Sequence, residues 1–382
     1  MAVLEAEARW ARDWLFDAAL PLWWSVGADP AGGFHEKITL AGTPVAAPRR
    51  LRVQARQAYA YVEGGQLGWG GPWREAAEHG LSFLLAHYRR PDGLFRTLVA
   101  PDGTALDDTA DLYDQAFVLF ALANAHAAGL GGDAPVTAAR ALIAQLKAEL
   151  SHPGGGFEEA RPRVLPLRSN PHMHLLEANL AWTAAGVAEP FADVARGIVG
   201  LAVSRLIDPA TGAIGEYYDG DWNFAAGPEG GVREPGHQFE WAYLLDRAGT
   251  LLGLDHLAEA RRMYAFGRDH GIDPVRKAAI FALDAAGAVT DPRARFWAQT
   301  ERLRTALILA GRSDDAAERD ALLAAAAEAF AVTRTYLDVP VKGLWRDQLL
   351  ADGTFVEEPA PASSFYHLLS AFAVLLKAGG VA

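Results

Sequence analysis

Apolar residues recur about every three to four positions along nearly the whole chain, the spacing of helices with one buried face. The first such stretch, Leu4–Trp24, ends before Gly27. Leu51–Tyr61 and Trp73–His87 follow, the second ending before Pro91. Leu112–Ala127 stops at Gly129, Ala134–Leu150 before Pro153, and His172–Ala185 at Gly186. Pro190–Leu206 runs into Asp208-Pro209, while Gly236–Leu252 and His256–Asp269 each end at a glycine. Phe296–Ala310, Ser313–Thr335 and Ser363–Lys377 complete the set. Glycine and proline at these boundaries are stop signals. The pattern predicts twelve helices with no strong strand block between them.

A second pattern lies between the helices. A glycine-rich or apolar segment followed by polar residues precedes every even-numbered helix. The blocks are GGFHEKI (Gly32–Ile38), DGLFRTLV (Asp92–Val99), GGGFEEA (Gly154–Ala160), GAIGEYY (Gly212–Tyr218), KAAIFALD (Lys277–Asp284) and KGLWRDQ (Lys342–Gln348). They read as short strands or hairpins at one end of the structure. Their spacing, roughly sixty residues, suits a helical hairpin with a long loop. Six such hairpins predict an all-α (α/α)6 barrel with short strands at one mouth. A solenoid is the alternative, but its repeats are shorter and its loops tighter. The barrel would make 1–382 a single domain, whereas length alone suggests about two to three.

The even helices carry ionisable residues near their starts, where a core helix should not want them. Arg56 sits in VQARQAYAY, Tyr113 and Asp114 in DLYDQAF, and His174 and Glu177 in NPHMHLLEA. His237 and Glu240 sit in PGHQFEWAY, Trp297, Gln299 and Glu301 in RFWAQTERL, and Tyr366 and His367 in SSFYHLL. Arg56, Asp114, His174, His237, Trp297 and His367 follow one another at steps of roughly sixty to seventy residues, close to the repeat length. Taken singly, each has a plainer use, as a salt-bridged arginine, a satisfied buried histidine, an i,i+3 contact or a helix cap. Taken together at one phase, they are expected to converge on one pocket.

Composition narrows the chemistry. The 382 residues carry a formal net charge of -12, which argues against a nucleic-acid partner. No stretch is long and apolar enough for a membrane span, and the charged N-terminus does not read as a targeting peptide. The expected location is therefore the cytoplasm, as a monomer or homodimer. Cysteine is absent, which removes disulfides, thiolate metal sites and a cysteine nucleophile. The 11 tryptophans need a core or a flat ligand to stack on.

Three chemistries compete. Three histidines and a glutamate suit a metal, but no His-x-x-x-His pair is present, and His172 and His174 point to different sides of a helix. Glycoside cleavage needs two carboxylates, and Asp114, Glu240, Glu301 and Asp347 are available. Histidines nevertheless dominate the series, and histidine takes and returns protons near neutrality. His237 and His367 would then serve a substrate carbon beside a carbonyl. Arg56 would hold the enediolate oxygens, and Glu240 would support His237. Trp297 and Trp345 would offer faces to sugar C–H groups. This fits a sugar isomerase or epimerase that needs no cofactor.

VQARQAYAY, LYDQAFVLFALA, NPHMHLLEA, PGHQFEWAYLL, FWAQTERL and FYHLLSAF closely resemble the N-acylglucosamine 2-epimerase superfamily. Its members include N-acylglucosamine 2-epimerases, cellobiose 2-epimerases, D-mannose isomerases and sulfoquinovose isomerases. The resemblance runs from about Arg49 to Phe372. It implies an (α/α)6 barrel and proton transfer through a cis-enediolate, with His237 and His367 as the catalytic histidines and Arg56 as the essential arginine. It makes His174, with Asn170 nearby, a substrate-binding or ring-opening residue, and Tyr113, Glu240 and Trp297 substrate contacts. Arg233 is expected to bind sugar oxygens. The WAQTERL segment and compact length look similar to the D-mannose isomerases, which interconvert D-mannose and D-fructose; a 2-epimerase using the same residues is the alternative. No G-x-x-x-x-G-K-[ST] motif is present for a nucleotide.

Overall fold

The computed structural model describes residues 4–381. α1 (Glu5–Trp14) passes through a π-helical turn, Leu15–Ala19, into α2 (Leu20–Ser25). α3 (Leu51–Gln66), α4 (Trp73–His87), α5 (Leu112–Ala127), α6 (Ala134–Glu149) and α7 (Ser169–Ala184) follow. α8 (Phe191–Leu201) continues through a second π turn, Ala202–Leu206. The short α9 (Pro228–Gly231) precedes α10 (Pro235–Leu252), α11 (Leu257–Gly271), α12 (Phe296–Gly311), α13 (Ala316–Leu337) and α14 (Phe365–Ala378).

Most predicted boundaries lie within a turn of these. α3 runs past its expected end at Tyr61, through Gly64 and Gly65. Those glycines are not stops: a Cβ on Gly65 would come within 2.2 Å of the Trp73 ring, so the close approach of α4 requires a bare backbone. α7 starts earlier than expected because Pro171 falls in its first turn, where no N–H has an intrahelical partner.

Two kinds of helix alternate. In α5 every side chain from Asp114 to Ala123 is buried. In α13 the buried Leu322, Ala326, Ala329, Thr333 and Tyr336 fall three or four apart, a single stripe facing inward. The class buried on most sides comprises α3, α5, α7, α10, α12 and α14. Each packs on the next in that order, and α14 packs on α3. At that last junction Gln57 Nε2 donates to the Ala362 carbonyl at 3.0 Å, and the Tyr59 and Ser370 hydroxyls lie 3.0 Å apart. The outer helices α4, α6, α8, α11 and α13 each cover the buried helix before them, while α1 covers α14. Five pairs are thus sequential hairpins, and the sixth joins the two ends of the chain.

The short strands form at the starts of the buried helices. Arg49–Arg50 pairs with Leu98–Val99, Ala110–Asp111 with Ala160–Arg161, and Leu167–Arg168 with Tyr217–Tyr218. Ala294–Arg295 pairs with Gln348–Leu349, and Ala360–Pro361 with Lys37–Ile38, all antiparallel. A single bridge, Arg233 to Leu283, stands in the remaining place. Strands this short leave backbone groups unpaired, and in five of the six buried helices, all but α14, the fourth residue takes them. Gln54 holds Phe34 N–H at 2.7 Å and its carbonyl at 2.9 Å. Gln115, Gln238 and Gln299 do the same for Phe95, Ile214 and Ala279. In α7 His172 Nε2 accepts from Phe157 N–H at 3.0 Å. These locks put the helices in one register.

Candidate active site

Counting from the first residue of each buried helix, with α14 counted from the 3-10 turn at Ala362, three positions face a cavity of about 210 Å³. The second position supplies Tyr113, Asn170, Trp297 and Ser363; the third, His237 and Ser364; the sixth, Arg56, His174, Glu240 and His367. The connections add Glu234, Phe281 and Arg295. The repeat series expected from the sequence mixed these levels. In true register the sixth position reads Arg56, Phe117, His174, Glu240, Glu301 and His367. His237 and Asp114 lie three residues nearer the helix starts, and Trp297 four. Convergence holds because the helix starts share one mouth.

The surroundings of His237 and His367 push the two imidazoles in opposite directions, one toward the cation and one toward the neutral ring. His237 Nδ1 lies 2.9 Å from Glu216 and 3.6 Å from Glu234. Burial alone would push its pKa down, but the two carboxylates outweigh burial and raise it to about 10. His367 Nδ1 lies 2.7 Å from Glu301. Burial, reinforced by the nearby Arg56 guanidinium, holds its pKa well below the ordinary imidazole value. Both rings pack against Trp297, with centroids 5.0 and 5.6 Å away. His174 is held down to about 4 by burial, against the pull of Glu177 at 3.2 Å.

Arg56 stacks over Phe117 at 4.3 Å and Tyr366 at 5.1 Å, and donates to the Tyr113 hydroxyl at 2.7 Å and the Ser363 carbonyl at 3.2 Å. Its Nε, the Asn170 carbonyl oxygen and both Glu240 oxygens are buried without partners. Burial, with Glu301 close by, raises the Glu240 pKa well above the carboxylate range. A neutral, protonated Glu240 can donate as well as accept. These free polar atoms suit a small ligand with many hydroxyls.

Beneath them lies the ninth position: Tyr59, Phe120, Glu177, Tyr243, Arg304 and Ser370. Arg304 Nη2 is 2.5 Å from Glu301, and its nitrogens are 3.8 Å from Glu177 and from Glu240. Three groups, His174/Glu177/Glu240, Glu216/Glu234/His237 and Glu240/Glu301/His367, bring ligand atoms within 4.8 Å of one another. In the first and third, Arg304 already provides the positive charge that an ion would bring. Dialysis against a chelator is therefore expected to leave turnover unchanged, as measured before and after treatment.

Two expected substrate contacts lie elsewhere. Trp345 is fully buried and stacks on Trp23 at 5.0 Å and Phe296 at 5.9 Å, so it is core and presents no face to the cavity. Arg233 is also buried; it donates to the Gly230 and Val232 carbonyls at 2.9 and 3.0 Å and sits over Phe224, which ties down its own loop.

Residues 32–371 match the N-acylglucosamine 2-epimerase (GlcNAc 2-epimerase) family. The chain belongs to that family. It is 45% identical over 366 residues to the mannose-6-phosphate isomerase of Rhizobium meliloti (strain 1021), covering 94% of each chain. It is 29% identical over 323 residues to the D-mannose isomerase of Thermobifida fusca, covering 79% of this chain and 73% of that one. Its fold superposes on the cellobiose 2-epimerase of Spirochaeta thermophila DSM 6192 with a TM-score of 0.87 at 22% identity, over 99% and 98% of the two chains. The protein is thus a sugar isomerase or epimerase of the GlcNAc 2-epimerase family. Among the described residues no helix is long and apolar enough to cross a membrane.

Sequence reasoning missed Glu216, Glu234, Arg295 and Arg304 as site residues of this GlcNAc 2-epimerase family member. Glu216 stands in the GAIGEYY block at the place of Glu36 and Glu159, so aligning the blocks would have found it. Arg304 carries no such signal, since its ninth-position neighbours are of unlike chemistry.

Proposed function

We propose that the whole chain is one (α/α)6 barrel whose cavity interconverts D-mannose and D-fructose without a cofactor, through a cis-enediolate. The single observation that carries this is the pair of histidines packed against Trp297, His237 facing the carboxylates of Glu216 and Glu234 and His367 buried with the Arg56 guanidinium nearby. At neutral pH they stand ready as one acid and one base. Neutral His367 takes the proton from C2 of the open-chain aldose. Charge moves onto the C1 oxygen, where Arg56 and the converging starts of six helices stabilise it. Cationic His237 gives a proton to C1, the C2 hydroxyl proton passes to the C1 oxygen, and C2 becomes the ketone. His174 and Asn170 serve ring opening and binding, while Tyr113, Glu240 and Trp297 position the sugar. Return of the proton to C2 from the other face would give the epimer instead.

The substrate is an unphosphorylated sugar on this reading. The arginines at the starts of the buried helices are already neutralised: Arg52 by Asp114 at 2.9 and 3.0 Å, Arg168 by Glu159 at 2.6 Å, and Arg295 by Asp347 at 2.6 Å. A phosphate would find no free cation among them.

The test is incubation with D-mannose, D-mannose 6-phosphate, cellobiose and N-acetylmannosamine in D2O, with products read by NMR. D-fructose carrying deuterium at C1 is expected from D-mannose alone. A C2-inverted aldose, or turnover of the phosphate only, would overturn the assignment.

A further inference from the structure

Two of the six connections before the buried helices hold a glutamate–arginine pair, and the fourth keeps the glutamate without the arginine. Glu36 accepts the Arg50 N–H at 2.6 Å and its Nε–H at 2.8 Å. Glu159 accepts the Arg168 N–H and Nε–H, both at 2.6 Å. Arg50 and Arg168 each stand immediately before a buried helix. Glu216 holds the same place. Its backbone carbonyl accepts the Ser169 N–H at 3.2 Å, as that of Glu36 accepts from Ala362 and that of Glu159 from Leu112. Its carboxylate accepts the N–H of the residue before α10 at 3.4 Å. That residue is Glu234, where the other two connections have arginine. Among the described residues no guanidinium pairs with Glu216, and its second oxygen reaches His237 Nδ1 at 2.9 Å.

We propose that Glu216 and Glu234 are positioning residues that make His237 the proton donor, because the glutamate standing where an arginine recurs leaves two carboxylates facing one imidazole. They hold the ring with its Nδ1–H on Glu216 and its Nε2–H toward the substrate. This rests on the reading of His237 as donor. The other titratable groups that bear on it are Glu240 on its own helix, His174 on α7, and Arg295 and Asp291 through Glu234.

The test compares the parent enzyme with Glu216→Gln, Glu216→Asp and Glu234→Arg, measuring kcat and KM for D-mannose across pH and Tm for each. The parent should lose activity on the alkaline side only near the His237 pKa of about 10. Glu216→Gln should bring that limb down by about two pH units and cut kcat at least about tenfold, with KM little changed. Glu216→Asp should restore the limb. Glu234→Arg should recreate the recurring pair, draw Glu216 away and lower kcat at least as far. A lowered Tm with an unmoved alkaline limb in Glu216→Gln would overturn the proposal, since loop anchoring alone gives that result. Retained turnover in His237→Ala would instead overturn the donor reading itself.

Discussion

His367→Asn lowers kcat by about a thousandfold to ten-thousandfold, the size of a lost general base, and ends deuterium incorporation at C2. The asparagine keeps a polar group near Glu301 and fills most of the ring's volume, so the fold should survive, and an unchanged circular dichroism spectrum would check this. His367 owes its neutrality to burial and to the Arg56 guanidinium. Its Nδ1 is held by Glu301 at 2.7 Å, which leaves Nε2 for the substrate. In the proposed mechanism Glu301 stabilises the imidazolium formed when His367 takes the C2 proton. Its partner His237 starts charged and cannot accept a proton, so it offers no substitute base. Activity is measured as ketose formed from D-mannose and as C2 exchange by NMR. Exchange at the parental rate in His367→Asn would show that the base lies elsewhere.

Arg304→Met destabilises the fold by about 3–5 kcal/mol, the usual cost of removing one partner from a buried charge network. Arg304 is 2% exposed and faces Glu177, Glu240 and Glu301 while packing over the Tyr243 ring at 4.0 Å. Methionine replaces the stem but not the charge. Three buried carboxyls then face one another without a cation. Burial already lifts Glu301 to about 7 against the pull of Arg304, and loss of that pull lifts it further. A carboxyl whose folded pKa is raised contributes stability below its unfolded value and loses it as pH rises through the folded value. The deficit should therefore be larger in mildly alkaline than in mildly acidic buffer, measured by urea midpoint. Adding Glu301→Gln to Arg304→Met should recover part of it. A deficit that does not change with pH would show that packing over Tyr243, and not charge, is what Arg304 supplies.

The helices were legible in the sequence because burial imposes a period that composition cannot hide. Trp73–His87 and Leu112–Ala127 fall where the apolar spacing and the glycine or proline stops put them. The six glycine-rich or apolar blocks marked the repeat, and with it the mouth where Arg56, His174, His237 and His367 meet. Those residues were visible because a charge in an apolar helix is costly and so stands out.

Trp345 and Arg233 show where that reasoning stops. An aromatic ring in a core stack and one in a sugar wall obey the same one-dimensional pattern, and only the direction of the side chain separates them. The level of His237, three residues nearer the mouth than His174 and His367, depended on the glutamine locks that set the register of the helices. The charges of the two histidines were also beyond the sequence. Glu216 and Glu301 come from a connection and from a neighbouring helix, and an imidazole responds to the carboxylates and burial around it in space, whatever their distance along the chain. The chain dictates which residues turn inward and at what period; which of two identical imidazoles carries the proton is decided where the folded helices meet.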